Sequence, residues 1–244
     1  MWKKILILFL AVMMVLSFAA CDNKEDSASD DTKQKDTTEE KDAFSGLASA
    51  DYARLMQSQN FYMTYTMYTM GMDFEGSQAV SDDIIASKVN IYDKVMFTIL
   101  DDNMMYDIDS ENKTYTVTEL SEEELSTYKT DYANIVYVSS GNSTIASLVD
   151  AGVDTASYDY DEYVIDVDLS AMDEENLAAL QEAGIDTDGN ITIRYYIKDD
   201  GSLYAITCAI MDVETVMLVN ELTDKVPGNM LEIPADYLKV EAAE

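Results

Sequence analysis

Ten residues, Phe61 to Met70, constrain the fold of this chain more than any other stretch. Phe61, Met63, Tyr65 and Met67 fall on one side of an extended segment, and Tyr62, Thr64, Thr66 and Tyr68 fall on the other. A repeat of two is the signature of a strand, so a sheet must form around it. Short alternating or apolar runs follow at Ser77–Ile84, Val89–Tyr92, Val95–Leu100, Met104–Asp109 and Thr114–Thr118. Gly71 and Gly76 are expected to bracket a turn. Asp101-Asp102-Asn103 and Ser110-Glu111-Asn112-Lys113 have hairpin-turn composition. Further strands are predicted at Ile135–Ser139, Glu162–Leu169, Ile191–Lys198, Leu203–Ile210 and Val213–Leu222. Helices are predicted over Leu47–Asn60, from a Ser121 cap through Tyr132, over Thr144–Ala151, and over Asp173–Ala183. Antiparallel hairpins interrupted by a few helices make an α+β fold.

The N-terminus states where the chain works. Lys3 and Lys4 precede an apolar run from Ile5 to Leu16, and Ala19-Ala20 lead into Cys21. A positive start, a short apolar stretch and small residues at a cleavage point form a secretory signal. The run is short for a spanning helix, which wants about 20 apolar residues. Leu16-Ser17-Phe18-Ala19-Ala20-Cys21 resembles the bacterial lipobox, and that resemblance implies that Cys21 is lipidated and becomes the first mature residue. An ordinary signal peptide or an N-terminal anchor helix is the alternative. The expected organisation is a signal over 1–20, a lipidated Cys21 with an acidic tether over 21–43, and one domain over 44–244. The tether holds no apolar type except alanine, so no apolar face can form in it. The expected location is extracytoplasmic, with the membrane as partner through the lipid.

Forty-eight acidic residues against fifteen basic ones give a formal charge of −33. Such a surface offers no basic patch to neutralise phosphates, which excludes nucleic acid as an expected partner. With Cys21 consumed by the lipobox, Cys208 has no disulfide partner. It shares a strand face with Ile206 and Ile210, where a thiol packs as a small hydrophobe.

The chain has no histidine. This removes the commonest general base, the usual zinc ligand and any Ser-His or Cys-His pair. Among 48 acidic residues some carboxylate pair arises by chance, so such pairs do not point to glycoside chemistry. Asp186-Thr187-Asp188-Gly189-Asn190 is spaced wrongly for a calcium loop, because Ile197 stands where the bidentate glutamate belongs. No catalytic residue, metal site or cofactor is expected, and the chain is expected not to be an enzyme. Methionine is the distinctive residue: Met63, Met67, Met70, Met72, Met96, Met104 and Met105 lie within one short region. Flexible and polarizable, methionine lines surfaces that adapt to irregular apolar partners, although ordinary core packing also uses it.

The stretches Phe61–Met70, Asn103–Tyr115, Ile193–Ile206 and Leu231–Tyr237 together resemble the LolA/LppX-type lipoprotein-carrier superfamily. That resemblance implies a strongly curved antiparallel sheet, a half-barrel, with a few helices packed on its concave side. It also implies a groove for an acyl chain, a lipoprotein or another hydrophobic ligand. The expected wall is Phe61, Met63, Tyr65, Met67, Met104, Tyr106, Ile193 and Tyr195; Tyr62 and Tyr68 give the other face aromatic character too, so which face is concave is not readable from these residues. Some members of that superfamily are envelope sensors, so a ligand-free module that binds another protein, by regulation or adhesion, is the alternative function. Neither the oligomeric state nor the ligand is readable from these residues.

Overall fold

The structure, a computed structural model, describes residues 44–69, 71–82, 84–91, 94–121, 125, 135–165, 191–210 and 213–241. Its centre is a single sheet of twelve strands. They are β1 (Asn60–Thr69), β2 (Met72–Ser81), β3 (Ile84–Ile91), β4 (Lys94–Asp101), β5 (Met104–Asp109) and β6 (Thr114–Glu119), then β7 (Ile135–Ser143), β8 (Tyr158–Ile165), β9 (Ile191–Ile197), β10 (Leu203–Ile210), β11 (Val213–Thr223) and β12 (Leu238–Lys239). The order across the sheet is β12-β6-β5-β4-β3-β2-β1-β11-β10-β9-β8-β7. Two meanders therefore meet where the first strand pairs with the eleventh. Every pairing is antiparallel except β12 with β6. Among the described residues the sheet is open, with β12 and β7 as its edges. The sheet dominates, so α+β describes the fold loosely. Two α-helices lie among the described residues, α1 (Ala50–Gln57) and α2 (Ala146–Asp150).

Register decides which side chains share a face, because directly paired residues point the same way. Met67 pairs with Phe74 on one side and Met217 on the other. From there the first face runs through Val80, Ile85 and Leu100 toward β5, and through Ile206, Tyr195, Ile193 and Tyr163 toward β8. These residues belong to one buried apolar cluster, to which α1 contributes Ala50, Ala53 and Met56. The second face is covered in two places. Ala79, Ala86, Phe97, Ile99 and Ile108 pack under Val226, Met230, Leu231, Ile233 and Tyr237 of the C-terminal segment. Lys113 Nζ, 2.7 Å from Asp236 Oδ2, fastens that segment beside β6. Farther along, Tyr196, Ala205 and Val216 pack with Leu148 of α2. The two described helices thus lie on opposite faces, and only α1 shares the first.

Several expectations need correcting. Gly76 is no turn residue: β2 starts at Met72, and Gly76 sits inside it opposite Tyr65. A Cβ there would lie 2.4 Å from Tyr65 Cζ, so the phenol ring occupies the space that any other side chain would need. The first helix is shorter than predicted, β7 runs on to Ser143, and β8 begins at Tyr158 rather than Glu162. The predicted helix over Asp173–Ala183 and the Asp186–Asn190 turn lie outside the described residues, as does the helix from Ser121 to Tyr132 except at its two described positions. Met70 lies outside them too.

Cys208 is a free, buried thiol opposite Ile193 and Thr215. Burial pushes it up from an ordinary value of 9.0 to about 12. Folded protein should therefore resist a polar thiol reagent at about pH 8 and react only on denaturation; rapid stoichiometric labelling of native protein would contradict the packing. The raised value also fixes a sign. Unfolded chain loses this proton above about 9 while folded chain keeps it to about 12, so the contribution is whole below 9 and lost as pH rises through that window. Burial raises Tyr65 and Tyr195 in the same direction. Urea midpoints should fall between pH 9 and about 12.

Candidate functional site: the apolar first face

The first face is built on β1. Its alternation places Phe61, Met63, Tyr65 and Met67 in a row, each with no more than 1% of its surface exposed. Ile193 and Tyr195 of β9 reach the same face through β10 and β11 and are equally buried. Six of the eight predicted wall residues thus stand on one face. Met104 and Tyr106 do not. Met105 pairs with Leu100 and so faces the cluster, which turns Met104 and Tyr106 to the second face. There Tyr106 packs beside Tyr115, ring centroids 6.4 Å apart, under the C-terminal segment. A one-residue difference in phase moves a whole side-chain set across a sheet.

Methionines converge on the first face from separate parts of the chain. Met63 and Met67 come from β1, Met217 from β11 and Met56 from α1, all wholly buried. Met105 of β5 packs against them half-buried, and Met96, opposite Val89, shares its side of the sheet. The sequence pattern does not single out Met56 and Met217, because nothing local separates them from other core residues.

Polar groups are few here: Gln78 of β2, 0% exposed, stands opposite Met63, Thr215 of β11 is buried opposite Cys208, and a hydrogen-bonded cluster gathers at the β8 end. Asp161 is 3% exposed and is the only charged side chain among the buried described residues. Its Oδ2 accepts the Ser49 backbone N–H at 2.8 Å, and its Oδ1 accepts Ser140 Oγ–H at 2.5 Å. Ser49 Oγ and Tyr163 OH share a hydrogen bond of 2.7 Å. Tyr163 also meets the rings of Phe44, Tyr137 and Tyr195 at 5.4, 6.0 and 5.6 Å. Burial pushes its phenol up to about 12. Tyr52 OH donates to the Gly201 carbonyl at 2.9 Å, and Tyr195 OH approaches Met56 Sδ at 3.9 Å. Helix α1 is thereby pinned across the face by β8, β9 and the β9–β10 turn. Asp161 carries a signal that the strand pattern alone does not reveal as a site: it continues the apolar alternation of Tyr163 and Ile165, where an acidic residue must find donors.

The arrangement is a long, mostly apolar wall, interrupted by Gln78 and with a hydrogen-bonded polar cluster at one end. Cys21 and the tether lie outside the described residues.

No family model and no curated protein matches the chain. Similar solved structures include an uncharacterised conserved protein of Thermus thermophilus, at 6% identity and TM-score 0.43, with 79% of this chain and 99% of that one covered. The lipoprotein LppX of Mycobacterium tuberculosis is similar at 9% identity and TM-score 0.39, covering 74% of this chain and 95% of that one. LprF of Mycobacterium bovis is similar at 8% identity and TM-score 0.35, covering 77% of this chain and 97% of that one.

Proposed function

We propose that the protein is a non-enzymatic, extracytoplasmic lipoprotein, anchored through a lipid on Cys21, that holds a lipid, a lipoprotein or another hydrophobic ligand against the first face of its sheet. Residues 21–43 are the tether and 44–244 the binding domain. The observation that carries this reading is the single apolar cluster that joins Leu100 on β4 to Ile165 on β8, lined by Met56, Met63, Met67 and Met217. Seven strand spacings at about 4.8 Å make roughly 34 Å if the sheet lies flat. Helix α1, with eight residues, spans only about 12 Å. Sheets this wide curl when strongly twisted, and curling brings one face round an apolar interior. A half-barrel with a methionine-lined inside is the shape that follows. Methionine suits it, because an unbranched thioether repacks around chains of different outline.

The test uses the full chain expressed in a bacterial host that acylates lipoproteins. Labelled palmitate should be incorporated by wild type and not by Cys21→Ser. The same wild-type protein should bind Nile red and a fluorescent phospholipid with saturable, micromolar affinity. Met105→Trp should weaken that binding about tenfold while leaving far-ultraviolet circular dichroism unchanged, since a half-buried position accepts a larger ring without crushing the core. Folded wild type that binds neither probe would overturn the ligand reading, and palmitate on Cys21→Ser would overturn the anchor.

A further inference from the structure

The second edge of the sheet carries an inference that goes beyond the ligand reading and does not rest on it. Strand β7, Ile135–Ser143, is nine residues long and among the described residues pairs only with β8. Unpaired edges invite added strands, and proteins normally blunt them with charge, proline or brevity. The opposite edge follows that rule, because β12 is two residues long and includes Lys239. Strand β7 does not. It has no charged residue and no proline, in a chain that is 26% charged. Two other strands lack charge, β1 and β10, and both are central, with a neighbour on each side. Strand β7 therefore has the composition of an interior strand at an edge position.

Its side chains tell the same story. Val136, Tyr137 and Val138 are 60%, 37% and 51% exposed, a run of apolar surface on a strongly acidic protein. The polar half of the strand is turned to its neighbour: Asn142 Nδ2 donates to Asp159 Oδ1 at 2.7 Å, and Ser140 donates to Asp161. The register shift between Tyr137 and Ser139 leaves Val138 as a bulge, which divides the edge into an apolar part and a polar part.

We infer that β7 is a docking edge for an extended segment of a partner protein, one with apolar residues at alternate positions and lysine or arginine between them. Backbone hydrogen bonds to the open edge supply affinity, and side chains in the pleat supply selection. Apolar residues of the added strand pack on the face of Val136, and the basic residues lie on the opposite face with Tyr137 and Asn142. A basic residue opposite Asn142 lies about 10 Å from β8, within a lysine's reach of the exposed Asp159. Charge selects against a second copy of this chain, since each copy carries −33.

The probe is a fluorescein-labelled (Val-Lys)₄ peptide, with (Val-Glu)₄ as its acidic counterpart, titrated into the full chain at about 0.15 M salt. The basic peptide should bind with amide-exchange protection appearing within Ile135–Ser143, and the acidic peptide should bind at least about tenfold more weakly. Val136→Lys and Val136→Glu should both weaken the basic peptide about tenfold, because either places a charge against the added strand; the fold is checked by circular dichroism. An equally strong effect of Val95→Lys, at an exposed apolar position on β4, would show that only net charge is read and would overturn the inference. So would Val136→Glu that tightens binding, or protection located elsewhere. Sedimentation that shows a wild-type dimer broken by Val136→Lys would replace the partner segment with a second copy.

Discussion

Met67→Asp is expected to abolish the folded state. Met67 is 0% exposed, is flanked by Phe74 and Met217 across β1, and belongs to the cluster that joins both halves of the sheet. A carboxylate there has no cationic partner on the first face among the described residues, whose only buried charged side chain is itself an aspartate, Asp161. Burying an unpaired charge or unsatisfied polar group lies among the few mechanisms that cost more than about 4 kcal/mol. Domains of this size have about 5–15 kcal/mol in total, so most or all of the margin goes. Urea titration followed by circular dichroism should show Met67→Asp unfolded or with a midpoint near zero denaturant. Met67→Leu should cost less than about 1.5 kcal/mol, because the volume is nearly conserved. A normal midpoint for Met67→Asp would mean that water reaches Met67, and the proposed groove would then extend to this part of the face.

The same residue shows what a local pattern can and cannot carry. The phase of β1 is legible because one of its faces is apolar over four successive positions and the other is threonine and tyrosine. The phase of β5 is harder to read. Met104 and Tyr106 look more apolar than Met105 and Asp107, so the alternation favours the even positions. In the sheet those even positions point to the second face, where Tyr106 packs with Ile99 beneath the C-terminal segment. Sequence alone does not show that both faces of this sheet are covered, and a strand buried on both sides loses its phase signal. Gly76 misleads for a related reason. A glycine near Gly71 looks like turn chemistry, but its role is to leave room for Tyr65, which lies across the hairpin. The predicted strand leaves out the start of β8, because in Tyr158-Asp159-Tyr160-Asp161 the acids rather than the aromatics hold the phase of Tyr163 and Ile165. There the aspartates take donors: Asn142 for Asp159, Ser49 and Ser140 for Asp161. The fold class and the β1, β9 and β10 faces are thus written locally. The polar cluster is not, because its partners lie 112 and 21 residues apart in the chain.

That cluster yields the second large effect. Asp161→Ala should release α1 from the sheet. The carboxylate at the start of α1 accepts the Ser49 N–H, one of the donors that a helix N-terminus leaves without an intrahelical partner, and it complements the dipole there. Ser49 is itself 0% exposed, so its N–H would be stranded without water. The Ser140 hydroxyl would lose the same acceptor. Hydrogen bonds to a charged group contribute about 1.5–3 kcal/mol each, and the stranded Ser49 N–H adds its own desolvation cost, while the exposed Ser140 hydroxyl keeps Tyr137 OH as a partner. A loss of roughly 3 kcal/mol follows, concentrated on α1, because β1, β10 and β11 keep their ladders. Hydrogen exchange should show the amides of Ala53–Gln57 losing protection by about two orders of magnitude or more, while those of Leu203–Cys208 change much less. Asp161→Asn should recover part of the protection, since its amide oxygen still accepts the Ser49 N–H, although without the charge. If α1 keeps its protection in Asp161→Ala, the helix is held by Phe44, Tyr52 and Met56 alone, and the polar cluster is incidental to its seat on the first face.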